Sequence, residues 1–160
     1  MQTTLSELEK EVIDIFVRMA GVLSLPRSVG ELYGLLFVSP EPLCINDCMK
    51  KLNISKGSTS QGLKILRSFG AVKRVYVSGD RRDFFEAESA LRKIVTGFVN
   101  EQVRPHLDNG KERMARLESL VATASDEERE FFEERVGQLK GWQKRANLLL
   151  PFALNFIKPD

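Results

Sequence analysis

Between Thr4 and Pro26 the apolar positions Leu5, Leu8, Val12, Ile15, Phe16, Met19, Val22 and Leu23 recur at steps of three and four, the stripe of an amphipathic helix. Ser6 and Glu9 have the spacing of a capping box at its start, and Pro26 limits its end. A second helix is predicted from about Arg27 to Phe37, where Gly30 and Gly34 share a face and permit tight helix packing. Pro40 and Pro42 separate it from a third helix at about Asn46 to Leu52. A fourth starts near Ser55, whose hydroxyl can accept from an orphan backbone N–H, and Gly70 supplies its stop. The β-favouring Val72, Val75, Tyr76 and Val77 are then separated from Phe84 and Phe85 by Ser78-Gly79-Asp80, which reads as a hairpin. Helical spacing returns at Leu91, Ile94, Val95, Phe98 and Val99 until Pro105 breaks or kinks it. Leu107, Met114, Leu117, Leu120 and Val121 continue a stripe. Ser125 and Glu128 offer a second capping box before Phe131, Phe132, Val136, Leu139 and Trp142.

The fourth helix divides by angle. Thr59, Leu63 and Leu66 cluster on one side, while Gly57, Ser58, Gln61 and Lys64 lie toward the other. The apolar set should pack inward and the polar set should enter a DNA major groove. A turn, a short polar-started helix, a glycine stop and a basic hairpin, in that order, are the parts of a winged helix-turn-helix. The expected fold is mainly α with a small β-wing: a winged helix-turn-helix at 25–88, and a helical dimerisation region at 1–24 and 89–160. A domain of this size does not need so many amphipathic helices for its own core, and pairing lengthens the DNA site that such a protein reads.

Charge sharpens this picture. The net charge of +2 conceals segments of −4 (1–49), +8 (50–82) and −2 (83–160). Lys50, Lys51, Lys56, Lys64, Arg67, Lys73, Arg74, Arg81 and Arg82 face Asp80 alone in the middle segment. A local positive surface on a slightly acidic chain suits phosphate contact by counterion release. The candidate DNA-contacting residues are Ser55, Lys56, Gly57, Ser58, Ser60, Gln61 and Lys64 on the fourth helix, with Lys73, Arg74, Arg81 and Arg82 on the hairpin.

At 160 residues, 42% hydrophobic and 29% charged, the chain has room for one substantial core or a small domain with appended helices. No signal peptide is visible, and the longest apolar run, Leu148 to Leu154, is interrupted by Pro151, so a cytoplasmic, non-membrane protein is expected. Cys44 and Cys48 lack a nearby histidine for a zinc site, and read as small buried hydrophobes more readily than as a redox pair. His106 is the single histidine and has no nucleophile or acidic partner at a recognisable spacing. No glycine-rich phosphate loop follows a strand. An enzyme is not expected, nor a cofactor.

Residues 53–88 resemble the winged helix of MarR-type transcription factors in Ile54-Ser55-Lys56-Gly57, Phe69-Gly70-Ala71-Val72 and Gly79-Asp80-Arg81-Arg82. Upstream, Leu25-Pro26-Arg27-Ser28-Val29-Gly30-Glu31-Leu32-Tyr33-Gly34-Leu35-Leu36 is similar to the GbsR subgroup. The resemblance implies a homodimeric, ligand-responsive repressor of double-stranded DNA, with choline or a related osmoprotectant as effector. It also implies that Asp80 orients the wing arginine. The chain departs from the family pattern after the wing, at Phe84-Phe85-Glu86-Ala87. A quaternary ammonium effector would need aromatic faces, for which Phe16, Tyr33, Phe37 and Trp142 are the candidates. The alternative is a winged-helix protein-interaction module without sequence-specific DNA binding.

Overall fold

The structure, a computed structural model, describes residues 4–157. Helix α1 (Glu7–Val22) starts at Ser6, whose Oγ accepts from the Glu9 N–H at 3.2 Å while the Glu9 carboxylate accepts from the Ser6 N–H at 2.7 Å. The capping box expected from sequence is therefore formed. The helix ends where Ser24 enters the left-handed region (φ 56°) and the Leu25 N–H closes back on the Ala20 carbonyl. Helix α2 (Arg27–Val38) follows Pro26 and lies directly against α1. A Cβ on Gly30 would stand 2.5 Å from the Phe16 carbonyl oxygen, and one on Gly34 would stand 2.8 Å from the Ile13 Cα. The two glycines thus bring the backbones into contact, and Leu32 and Leu35 on α2 are fully buried.

Strand β1 (Leu43–Cys44) leads into α3 (Ile45–Leu52), then come α4 (Lys56–Ser68), β2 (Val72–Val75) and β3 (Phe84–Ala87). The antiparallel sheet has the order β1-β3-β2, with Leu43 opposite Phe85 and Val75 opposite Phe84. The hairpin is as expected, but its first strand stops at Val75: Tyr76 is 84% exposed, and it and Val77 belong to the loop. Phe84 and Phe85 are both buried because β3 is central and covered on both faces. The α4 helix ends in a paired closure, Gly70 N–H to Arg67 O and Ala71 N–H to Leu66 O, with Gly70 at φ 71°. That is the Schellman arrangement for which glycine is suited.

The chain divides into two compact units, Met1–Gly97 and Phe98–Asp160. The first takes in 1–24, assigned from sequence to the helical layer, together with 25–88. Helix α5 (Leu91–Phe98) runs to this boundary, and a Cβ on Gly97 would collide with the Phe69 carbonyl at the end of α4. A π-helical turn at Val99–Val103 precedes α6 (Arg104–Ala122). Pro105 has no N–H to give and its ring crowds the carbonyl four residues back, so the helix widens there instead of stopping.

The second unit pairs α6 with α7 (Asp126–Phe156), tied by an ion pair between Glu118 and Lys140. The second capping box is not formed: the Ser125 hydroxyl donates to the Glu128 carboxylate at 3.1 Å and caps no backbone N–H. Pro151 lies inside α7 without ending it. Val136 is the buried residue of α7, whereas Phe131, Phe132, Trp142, Leu148, Leu149, Phe152 and Phe156 are exposed.

Candidate nucleic-acid interface

The orientation of α4 is fixed from its first turn. Ser55 Oγ accepts from the Ser58 N–H at 3.1 Å and donates to Ser58 Oγ at 3.0 Å, so the side chain of Ser55 caps the helix. Thr59, fully buried, donates to the Ser55 carbonyl at 2.9 Å, and Leu63 and Leu66 are buried behind it. Gly62 adds a close approach that composition does not advertise, since a Cβ there would run into the δ-methyl of fully buried Leu32. With that side seated on α2, the side chains of Lys56, Ser58, Ser60, Gln61, Lys64 and Arg67 are all exposed, and Gly57 lies among them. Arg67 was not among the sequence candidates. Its spacing of three from Lys64 places it on the same side.

The basic segment separates into two kinds of cation. Lys73 bonds the Glu88 carboxylate at 2.8 Å, Arg74 bonds Asp83 at 2.8 Å, and Lys51 lies 3.9 Å from Glu9. Arg82 Nε reaches both Asp80 oxygens at 3.0 Å, its N–H bonds Asp80 at 2.9 Å, and its guanidinium lies 5.2 Å from the Phe84 ring centroid. Asp80 is held down to about 2, first by the Arg82 side chain and then by its backbone N–H. Lys50, Lys56, Lys64, Arg67 and Arg81 form no ion pair among the described residues. Of the hairpin cations chosen from sequence, then, Lys73, Arg74 and Arg82 are engaged within the protein, and Arg81 alone stands ready for an outside anion. Glu88 is the group that sequence reading passed over. It is buried, bonded also by the Ala90 N–H at 3.0 Å, and its carboxyl is held down to about 2 by Lys73 foremost.

The candidate effector aromatics are partly assembled. Phe16, Tyr33 and Phe37 pack with ring centroids 4.7, 5.4 and 6.0 Å apart. They line an apolar cavity of about 220 Å³ in the first unit, together with the buried Val29, Leu66 and Ala71 and with Leu91 and Ile94 of α5. Trp142 belongs to α7 of the second unit, where it is exposed. Tyr33 turns its hydroxyl away from the cavity's apolar wall to donate to the Glu88 carbonyl at 2.6 Å, and burial pushes its pKa up to about 12.

Cys44 and Cys48 are buried free thiols. Burial, then the Asp47 charge, pushes Cys48 up to about 12, which keeps it a thiol at neutral pH and unreactive. Cys44 Sγ lies 3.5 Å from Arg82 Nη1, beneath the wing ion pair.

A family model described as bacterial regulatory protein, arsR family, matches residues 35–74, from the end of α2 through the first residues of β2. The chain is 33% identical over 87 residues to the HTH-type transcriptional repressor GbsR of Bacillus subtilis (strain 168), covering 54% of this chain and 48% of GbsR. It is 33% identical over 81 residues to the HTH-type transcriptional regulator MmpR5 of Mycobacterium tuberculosis, covering 48% of this chain and 49% of that one. The matched stretches thus span about half the length of these curated relatives. A putative HTH-type regulator of Bacillus subtilis, YvaV, is 20% identical over 152 residues, covering 92% of this chain and 86% of its own. The crystal structure of a transcriptional regulator shares the fold, with a TM-score of 0.57 at 22% identity over 92% of this chain and 95% of that one. The capped α4 and the β1-β3-β2 sheet make this part of the chain a winged helix, and over that region it is similar to the HTH-type transcriptional regulators GbsR and MmpR5.

Proposed function

We propose that this protein is a sequence-specific DNA-binding regulator, a ligand-responsive repressor that acts as a homodimer. The observation that carries the reading is the outward side of α4. Its donors and acceptors on Ser58, Ser60 and Gln61 are set among unpaired Lys56, Lys64 and Arg67 on a helix whose other side is fixed in the core. Such a helix fits a major groove, with Gln61 and Lys64 at base edges or phosphates and Arg81 reaching the neighbouring backbone or minor groove. Two copies would read half-sites about one helical turn, roughly 34 to 36 Å, apart.

The exposed apolar rows support pairing. Leu8, Ile15, Met19 and Val22 on α1, and the seven apolar residues of α7 named above, leave more apolar surface uncovered than a lone small protein favours. The resemblance to GbsR suggests a quaternary ammonium effector such as choline, with Phe16, Tyr33 and Phe37 of the first unit as its ring faces.

Fluorescence anisotropy on DNA from the protein's own upstream region, against a scrambled duplex across a salt series, tests the reading. A preference of about a thousandfold or more establishes a specific regulator. Equal, steeply salt-dependent affinity for both duplexes would sink it in favour of an interaction module.

A further inference from the structure

The loop of the wing sorts its side chains into tied and untied. Residues 76–83 join Val75 to Phe84, a cross-strand pair of β2 and β3. The loop is held from within. The Asp80 N–H bonds the Val77 carbonyl at 3.2 Å, Gly79 takes the left-handed turn position at φ 83°, and the Asp80 carboxylate grips both the backbone and the side chain of Arg82. Asp83 is bonded in turn to Arg74 of β2. Among the described residues, the large side chains of this loop left without a bonded partner are Tyr76 and Arg81.

Tyr76 is out of place by the standards of the first unit. It is 84% exposed, against 47% for Phe37, the next most exposed aromatic there. Strand β2 ends one residue before it, so the ring neither pairs in the sheet nor enters the core. A tyrosine ring held in water suits a contact that is apolar on its face and wet at its hydroxyl. Tyr76 and Arg81 border one crevice of about 320 Å³, together with the bonded Arg74–Asp83 and Asp80–Arg82 pairs. A guanidinium and an aromatic face side by side match the two halves of a nucleotide backbone, phosphate and the C–H edge of deoxyribose. Sugar and phosphate take half or more of the hydrogen bonds in protein–DNA contacts generally. Tyrosine has two side-chain torsions to fix, so it gives up little freedom on contact.

We propose that Tyr76 is a DNA-contacting residue of the wing, its ring packed on a deoxyribose at the rim of the minor groove while Arg81 holds the adjoining phosphate. The proposal deepens the regulator reading and rests on it for its ligand. The two residues then contribute in different ways: Arg81 displaces a counterion and weakens as salt rises, whereas Tyr76 displaces none and keeps its hold. Anisotropy on the upstream and scrambled duplexes across a salt series, with the full-length protein, separates them. Tyr76→Ala is expected to weaken binding to both duplexes by about fivefold or more, as for an aromatic anchor, with the parent's salt slope. Tyr76→Phe keeps the ring and is expected to stay near the parent. Hydroxyl-radical footprinting, which reads the access of solvent to each sugar, is expected to show deoxyriboses protected by the parent and by Tyr76→Phe but cleaved with Tyr76→Ala. Unchanged affinity and footprint in Tyr76→Ala overturn the proposal. So does a slope flattened as much as by loss of a charge, or a Tyr76→Phe that behaves as Tyr76→Ala. A lowered urea midpoint in Tyr76→Ala would make the ring structural and overturn it too. A parent with no preference for the upstream duplex sinks the regulator reading instead; the sugar contact, which carries no sequence information, is still decided by the Tyr76 variants on the scrambled duplex.

Discussion

Helix α4 and the wing carry similar shares of the basic segment, yet they hold their charges differently. On α4, Lys56, Lys64 and Arg67 have no anionic partner among the described residues, while on the wing Lys73, Arg74 and Arg82 are bonded to Glu88, Asp83 and Asp80. A cation already bonded to a carboxylate must give up that bond before it can serve a phosphate, so it releases little counterion on binding. Formal charge overstates the wing and understates α4. The wing's ion pairs act as structural ties that shape the hairpin around Arg81.

The largest disturbance comes from unseating α4. Gly62→Leu replaces a poor helix former with a good one, yet its side chain must displace fully buried Leu32. The clash is expected to lower stability by about 3 kcal/mol, read as a fall in the urea midpoint together with loss of specific DNA affinity. An unchanged midpoint would show that α4 can move off α2 without cost. Next in size, Lys64→Ala should weaken specific binding by about 1 to 3 kcal/mol and relax selectivity at one base position. A uniform loss across all sequences would make Lys64 a phosphate contact.

Smaller effects compare free and engaged wing cations directly. Arg81→Ala should flatten the plot of log affinity against log salt by about one, while Lys73→Ala and Arg74→Ala leave that slope nearly unchanged. Equal slopes for all three variants would remove the distinction between free and bonded charges. Smallest is the acid response of the ties themselves. The Glu88 carboxyl is held from its ordinary 4.5 down to about 2, so its contribution to stability is complete above 4.5 and is lost as pH falls through that interval. Asp80, lowered to about 2 by Arg82, adds to the same loss. Thermal melts between pH 5 and 2 should fall less steeply for Glu88→Gln than for the parent, and parallel curves would contradict the assignment.

What sequence revealed and what it hid follow from range. The capping box at Ser6 and Glu9, the cap at Ser55, the stop at Gly70 and the buried Thr59-Leu63-Leu66 side are local features set by spacing, and all are in the structure. Features that depend on distant partners were not legible. Strand β1 is two residues long and exists because Leu43 and Cys44 meet β3. Glu88 looked like one acid among many, and became a hub only when Tyr33 and Lys73 arrived from other elements. The same holds for the candidate interface: its exposed residues followed from helical angle, whereas the division between free and bonded cations required the positions of Asp80, Asp83 and Glu88. Ser125 and Glu128 show that even a local motif underdetermines its geometry, since the serine hydroxyl prefers the carboxylate to the backbone.

The contact between α1 and α2 at Gly30 and Gly34 bears on how this chain can change over generations. Any single-base change in a glycine codon that substitutes another amino acid introduces a Cβ, and at these positions a Cβ meets main chain rather than a side chain that could swing aside. The seam therefore offers no neutral neighbour in mutational space. In a randomly mutagenised library selected for repression, both positions should return as glycine, while exposed positions a turn away accept substitution freely.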